Sequence, residues 1–301
     1  MLNYLIIGGT GSLGNALVTE LLGMHRDGNY KICIYSRDEH KQEKMQRKFN
    51  DDRLRFFIGD IRDKDRLDLA INYDITHIIN AAALKIVPAM EYNPFECLKT
   101  NTIGVQNIID CVSAKQSSIQ LKIIQVSTDK AVRPINIYGA SKLCAEKLTI
   151  AANNICGEYG PKYSVVRYGN VANSNGSVIP LFKKQLEANE PLTITDERMT
   201  RFWITLEDAA TFVLECLGKM QGGETFIPKM PSFKVMDLAK AALLNEAEKH
   251  KALIRAVDKC YKITGIRPGE KIHESISDEL SSDINDSWLS IEDLQQKLGQ
   301  I

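Results

Sequence analysis

Charge of one sign, paired cysteines, clustered histidines and long apolar runs are all missing from this sequence. Its 38 lysines and arginines are balanced by 38 aspartates and glutamates. That balance leaves no electrostatic footprint for nucleic acid, so an anionic ligand has to be held by local groups. Seven cysteines, at positions 33, 97, 111, 144, 156, 216 and 260, stand far apart with no C-x-x-C. Cys33 and Cys111 fall in apolar runs and read as small buried hydrophobes. The five histidines show no H-x-x-x-H spacing, so no metal site is expected. Together these absences favour a reduced, cytoplasmic setting. No apolar stretch approaches the length of a bilayer span, and "MLNYLIIGG" is too short for the apolar region of a signal peptide. There is no internal repeat and no low-complexity tract.

What is present is a rhythm. Within 301 residues, 44% of them hydrophobic, a sizeable core is possible, in one large α/β domain with or without a smaller appendage. "YLIIG", "KICIYS", "LRFFIG", "THIINAA", "LKIIQVS" and "YSVVRYG" read as buried strands, with helices expected at 12–22, 38–49, 64–71, 93–115 and 137–157 between them. Strands rich in Ile and Val on both faces, alternating with helices, predict a doubly wound parallel Rossmann sheet. After Gly169 the rhythm changes to loops, the short strands "PLTIT" and "GETFIP", and helices near 207–219, 234–250 and 290–298. The expected division is 1–168 for the Rossmann domain and 169–301 for a smaller C-terminal substrate-binding lobe, some of whose segments return to the sheet. "SISDELSSDINDS" reads as an exposed loop.

Gly9, Gly11 and Gly14 form G-x-G-x-x-G, and Gly8, Gly11 and Gly14 form G-x-x-G-x-x-G, between the first strand and its helix. Such glycines let backbone approach a pyrophosphate at a helix N-terminus, although elsewhere they make only a tight turn. At the end of the second strand stand Ser36 and Arg37, with Lys41 beyond. An Arg fork there suits the 2′-phosphate of NADP. The competing reading makes Arg37 a solvated turn residue and gives the ribose to Asp38. Asp60 in "GDIRD" suits an adenine amine or caps the following helix. Ala81 and Ala82 are small enough for a dinucleotide to lie against the fourth strand's end.

Tyr138 and Lys142 make Y-x-x-x-K, so both project from one helix face. A tyrosine base needs a lowered pKa, which a nearby ammonium and an oxidised nicotinamide would supply. A half-buried Tyr above a Lys is the plain alternative. The glycine turn, "STDKAVRPINIYGASK" and Y-x-x-x-K resemble the extended short-chain dehydrogenase/reductase family. "NAAALKIVPAMEYNPFECLKTNTIGVQNI", "VVRYGNVANSNGSVIPLF", "ITDERMTRFWITLEDA" and "GIRPGEKIHE" are more specifically similar to the soluble UDP-N-acetylglucosamine 4,6-dehydratases, C5-inverting type, which open pseudaminic acid biosynthesis. The likeness runs from residue 4 to about 274 and resumes at "SWLSIEDLQQKL".

That resemblance implies a mechanism. Tyr138, tuned by Lys142, would take the 4-hydroxyl proton while NADP receives hydride from C4. Lys130 would then remove the C5 proton, Asp129 would protonate the departing C6 hydroxyl, and Thr128 would orient the 4-oxygen. A lysine base must be neutral, a state ascribed here to desolvation or to Lys142 and the nicotinamide. From spacing alone, Asp129–Lys130 reads equally as a loop carboxylate beside a solvated lysine. The cofactor set implied comprises Gly8, Thr10, Gly11, Ser12, Leu13 and Gly14 in the turn, then Ser36, Arg37, Lys41, Asp60 and Ile61. Ala81, Ala82, Asn101, Tyr138, Lys142 and Val171 complete it. For substrate, Asn170, Ser177 and Val178 would hold sugar and uridine; Arg201, Arg267 and Glu270 would serve diphosphate and ribose; Lys85 would reach the same ligand. Arg267 and Glu270 also read as an ordinary surface ion pair.

Three departures from the family pattern stand out: Ile7 before the glycines, a longer connection over Ala241–Tyr261, and a shortened region between His273 and Trp288 that suggests a lost hairpin. The last bears on the homo-oligomer, dimer or hexamer, that the resemblance implies. The nearest rival is a UDP-hexose 4-epimerase, which needs neither a C5 base nor a C6 acid. Retaining dehydratases commonly lack the tyrosine at 138. A non-catalytic NADP-sensing regulator would be expected to lose Tyr138 or Lys142.

Overall fold

The computed structural model describes residues 2–24, 30–115, 121–174, 176–250 and 260–300. They form two compact units, the first made of residues up to Arg167 with Glu207–Pro228, the second of Tyr168–Leu206 with the residues after Pro228.

In the first unit, β1 (Leu2–Ile7), β2 (Tyr30–Ser36), β3 (Leu54–Ile58), β4 (His77–Asn80), β5 (Lys122–Thr128) and β6 (Lys162–Tyr168) are the expected strands. Helices α1 (Ser12–Met24), α2 (Glu39–Phe49) and α3 (Lys64–Ile71) connect the early ones. The sheet order is β10-β6-β5-β4-β1-β2-β3, where β10 is Thr225–Phe226. Parallel pairing joins β1 to β2 and β4, β2 to β3, β4 to β5 and β6 to β10. "GETFIP" thus joins the main sheet instead of the smaller lobe, because Thr225 and Phe226 complete the edge beside Val165 and Val166. Its preceding helix α9 (Leu206–Lys219) belongs there too. The strand order reverses between β1 and β4, so the crevice for a ligand lies at their C-terminal ends.

The single helix expected over 93–115 is broken. α4 (Val87–Tyr92) ends at Asn93, α5 (Pro94–Leu98) restarts on its proline, and a wide π turn over Lys99–Ile103 precedes α6 (Gly104–Ser113). Proline tolerates the first helical turn only, which is why Pro88 and Pro94 each open a short helix. α7 (Ile137–Cys156) follows β5, its first turn capped by Asn136 Oδ1, which accepts from Gly139 N at 2.7 Å.

The second unit holds two small sheets. β7 (Asn170–Val171), β9 (Thr200–Ile204) and β11 (Ser232–Lys234) make one; β8 (Leu192–Ile194) and β12 (Tyr261–Ile263) make the other. Around them lie α8 (Val178–Glu187), α10 (Val235–His250) and α11 (Ile291–Gln300). α8 escapes sequence reading because Pro180 interrupts its pattern, yet that proline sits in the first turn, and Ile179, Phe182 and Gln185 are buried on one face. The core gathers Phe182, Leu192, Met199, Trp203, Phe233 and Leu238. The Ser/Asp-rich stretch is not wholly exposed: Ile276 and Ser282 are buried, and an antiparallel bridge pairs Ser275 with Ser281. The bridge closes a short turn between Ser275 and Ser281. Residues 251–259 of the long connection lie outside the described residues.

Candidate active site

The glycine turn is built by close approach. Gly8 has φ +79 and a Cβ there would stand 2.7 Å from both N and Cα of Ala82, so neither the dihedral nor the space admits a side chain. At Gly14 a Cβ would fall inside the carbonyl of Gly9, which brings α1 directly over the turn. Gly11 N donates to Gly8 O (3.0 Å). Thr10, Ser12 and Leu13 are partly exposed around it, and no acidic residue stands in the first turn of α1. This positive, side-chain-free cradle fits a pyrophosphate. Across the switch point, Ala81 N donates to Ile7 O (2.9 Å) and Ala82 N to Asn80 Oδ1 (3.2 Å), placing both alanines beside the cradle.

At the end of β2, Ser36 is buried and receives Gln42 Nε2 on its Oγ (3.0 Å), a contact the sequence did not signal. Arg37 is largely exposed, with Asp60 at 3.8 Å. Asp38 caps α2, accepting from Lys41 N (3.1 Å), and pairs with Lys41 Nζ at 3.3 Å. Asp60 does not cap α3; Asp63 does, accepting from Arg66 N at 3.0 Å. The Asp60 carboxylate faces Arg62 instead (2.6 Å), and although burial opposes ionisation, the Arg62 and Arg37 guanidiniums hold it below its ordinary range. Ile61 is buried beneath Gly104.

The chemistry-bearing cluster forms where β5 ends. Thr128 Oγ1 donates to Asp129 Oδ1 (2.9 Å), hydrogen-bonds with Tyr138, and receives Lys130 N at 3.4 Å. Lys130 Nζ stands 3.1 Å from Asp129 Oδ1; the carboxylate is fully buried while Lys130 keeps 21% of its side chain exposed. Gly139 makes this fit possible, since a Cβ there would collide with the Lys130 carbonyl. Burial pushes the Tyr138 phenol up to about 12, against the pull of Lys130 and Thr128. The cation acting on Tyr138 is Lys130, whereas Lys142 Nζ is donated to Val126 O at 2.6 Å. Burial lowers Lys142 to about 8, with Glu146 and Cys97 opposing. Glu146 is held by Arg167 in a buried pair (2.6 Å). Lys85 is lowered by desolvation and then by Lys130.

Asn101 is buried; its Oδ1 accepts from Leu84 N (2.8 Å) and its Nδ2 donates to Leu84 O (2.9 Å). It positions the loop after β4. Cys97, Ser141 and Gly139 belong to the same frame and had no sequence signal beyond residue size.

In the second unit, Asn170 and Val171 form β7 and pair with Trp203 and Ile204. Asn170 Oδ1 and Ser177 Oγ are buried without a hydrogen-bond partner, and Ser177 opens α8 immediately before Val178. Arg201 does not present a free fork. Its guanidinium donates to Thr200 O (2.7 Å), Ile272 O (2.8 Å) and Lys271 O (2.9 Å), with Glu270 at 3.8 Å. It fastens the 267–274 turn to β9. Arg267 is exposed and reaches Glu270 at 3.4 Å, leaving its outer face open. Among the described residues no group of three or more His, Cys, Asp or Glu is placed to hold a metal, and no helix is long and apolar enough to cross a membrane.

A family model described as polysaccharide biosynthesis protein matches residues 4–291. The chain is 49% identical over 291 residues to a UDP-N-acetylglucosamine 4,6-dehydratase (inverting) of Campylobacter jejuni strain 81-176, covering 96% of this chain and 80% of that protein. It is 41% identical over 273 residues to a UDP-glucose 4-epimerase of Rickettsia akari, covering 90% and 76% respectively. Among solved structures, Pen from Bacillus thuringiensis superposes with a TM-score of 0.90 at 33% identity, over 100% of this chain and 98% of that one.

Proposed function

The chain belongs to the polysaccharide biosynthesis protein family, and from that premise we propose that it is a C5-inverting UDP-N-acetylglucosamine 4,6-dehydratase using NADP. The observation that carries this reading is the buried Asp129, bonded to Lys130 and joined through Thr128 to Tyr138. An acid, an amine base and a phenol within one hydrogen-bonded group are what elimination beside a transient ketone needs.

When bound, NADP would accept hydride from C4 of the sugar and return it to C6. Tyr138 takes the 4-hydroxyl proton, with Thr128 fixing the oxygen. The ketone acidifies C5, where Lys130 removes the proton. Asp129 gives its proton to the departing C6 hydroxyl, which leaves as water. Lys130 then returns a proton to C5 on the inverting face. Two observations support NADP over NAD. Arg37 is largely exposed where a 2′-phosphate would lie, and the Asp38 carboxylate, the rival ribose ligand, is committed to Lys41 and its backbone N–H.

The second unit serves, in this reading, as the substrate-binding lobe. The unpartnered Asn170 Oδ1 and Ser177 Oγ are positioned to receive sugar or uridine. Arg267 and Glu270 meet the nucleotide, and Arg201 holds the turn that carries them. Free thiols at all seven cysteines support a reducing, cytoplasmic setting. Self-association as a dimer or hexamer completes the proposal and is read by sedimentation. The pathway would be pseudaminic acid or a related surface glycan.

Incubation with UDP-N-acetylglucosamine in D₂O, followed by proton NMR, tests the function. A new C6 methyl signal, deuterium at C5 and the couplings of an L-arabino ring are expected. The galacto epimer without a methyl group would instead establish the 4-epimerase that the Rickettsia relative's name suggests.

A further inference from the structure

The indole of Trp203 has no part in the reading above, yet it carries an anomaly. Trp203 is only 4% exposed, and its Nε1 is buried without a hydrogen-bond partner. A core tryptophan ordinarily gives its N–H to an acceptor, because an orphaned buried donor is costly. The ring itself is well held. Phe233 meets it edge to face with centroids 5.5 Å apart, and Ala172, Ile179 and Phe182 share its buried cluster. In the parallel pairing of β7 with β9, Trp203 stands directly beside Asn170. Paired residues of neighbouring strands point to the same face of a sheet, their Cα atoms about 5 Å apart. Asn170 Oδ1 is buried without a partner too, and so is the Oγ of Ser177, two residues before Ile179. A donor lacking an acceptor and an acceptor lacking a donor thus lie side by side within the second unit.

We propose that Trp203 is a further substrate-contacting residue, its indole N–H and Asn170 Oδ1 together binding one hydroxyl of the UDP-sugar. The inference rests on the proposed function, which gives Asn170 and Ser177 to sugar and uridine. A hydroxyl is the group that satisfies both orphans at once. It accepts from Nε1 through a lone pair and donates its own hydrogen to Oδ1. A diphosphate oxygen has no hydrogen to give and would set negative charge against the amide oxygen. A trans acetamide points its N–H and C=O in opposite directions, so it meets one orphan and not the other. Because an indole donates and never accepts, it also sets the direction of the hydroxyl's hydrogen, toward Asn170. The pair therefore selects for a hydroxyl at that place in the ligand, since an analogue without it leaves both buried groups unpaired.

The chain has two tryptophans, so the isotope-labelled full-length protein gives two indole signals in a proton–nitrogen correlation spectrum. Trp288 already donates to Asn285 O at 2.6 Å and serves as the reference; the peak missing from Trp203→Phe assigns the other. In the Tyr138→Phe background, which holds the ligand unreacted, saturating UDP-N-acetylglucosamine is expected to move the Trp203 signal downfield and leave that of Trp288 in place. An equal shift with UDP alone puts the hydroxyl on the ribose; a shift with the UDP-sugar only puts it on the hexose. By calorimetry, Trp203→Phe and Asn170→Ala should each bind UDP-N-acetylglucosamine about 5- to 10-fold more weakly, the worth of one neutral hydrogen bond. The double variant should lose little more than either, because both act on one hydroxyl. The smaller ring loosens the core and lowers the melting temperature, so the signal of the unsubstituted Trp203 carries the test. If calorimetry shows UDP-N-acetylglucosamine bound while that signal stays put, the inference falls and the indole meets only water or the Phe233 ring. Fully additive losses also overturn it. No binding of UDP-N-acetylglucosamine at all would instead overturn the function on which it rests.

Discussion

Tyr138 in the ligand-free protein is a poor base: burial holds its phenol near 12, and the Lys130 charge only partly offsets this. The proposed mechanism has the positive nicotinamide bring it down, so the tyrosinate absorbance lost in Tyr138→Phe should titrate at lower pH once NADP⁺ is added. The same variant should lose about 100-fold or more in turnover while keeping sugar-nucleotide affinity. Lys142 makes a separate prediction. Folded, it titrates near 8 against an ordinary 10.5, so between those values the unfolded chain binds more protons and stability rises with pH. Below pH 8 its buried ammonium opposes folding. Lys142→Met is therefore expected to melt above wild type at pH 7 in the ligand-free protein, with the gap narrowing toward pH 10.5. Spacing set Tyr138 and Lys142 on one helix face, whereas Asp129 and Lys130 were singled out by the family resemblance, their spacing fitting a loop carboxylate and a solvated lysine equally well. That Lys142 Nζ donates to Val126 O was not legible, since it depends on where the ammonium points.

Among the elements, α7 carries most of the site, and its first turn is where geometry is tightest. Gly139→Ala would drive a methyl group into the Lys130 carbonyl, displacing Lys130 while the remote dinucleotide cradle persists. The expected result is loss of C5 deuterium exchange with cofactor still bound, measured by NMR and fluorescence titration. Further along the helix, Glu146 and Arg167 form a pair with only 4% and 15% of their side chains exposed. Removing one partner strands the other, so Arg167→Met should cost about 3–5 kcal/mol in chemical denaturation. Strand and helix positions were largely readable from alternation and periodicity, and the breaks were not. The π turn over Lys99–Ile103 accompanies the Asn101 grip on Leu84, a contact across 17 residues that no local pattern records. α8 was hidden by Pro180 for a simpler reason: a proline reads as a breaker unless its distance from the helix start is known.

For the whole molecule, a ligand that binds only the folded chain stabilises it by mass action, by about 2.7 kcal/mol at 100 times its Kd. NADP⁺ should therefore raise the melting temperature by several degrees more than NAD⁺ at equal concentration. Arg37→Ala should remove the difference; equal shifts in the wild type would favour NAD. The neutral balance of 38 against 38 charges means that this discrimination has to come from a few local groups.

The amino-acid sequence by itself determined the parallel sheet, the side-chain-free phosphate cradle and the set of chemical groups. Buried Ile/Val runs, glycines at fixed spacing and Y-x-x-x-K each act within a few residues, where chain geometry leaves little choice. Only the tertiary structure decided that "GETFIP" closes the edge of the first unit's sheet and that Asn101 and Arg201 hold loops in place. Those outcomes depend on contacts between residues far apart in the chain, and the energy of such a contact exists only once the backbone has brought the two groups together.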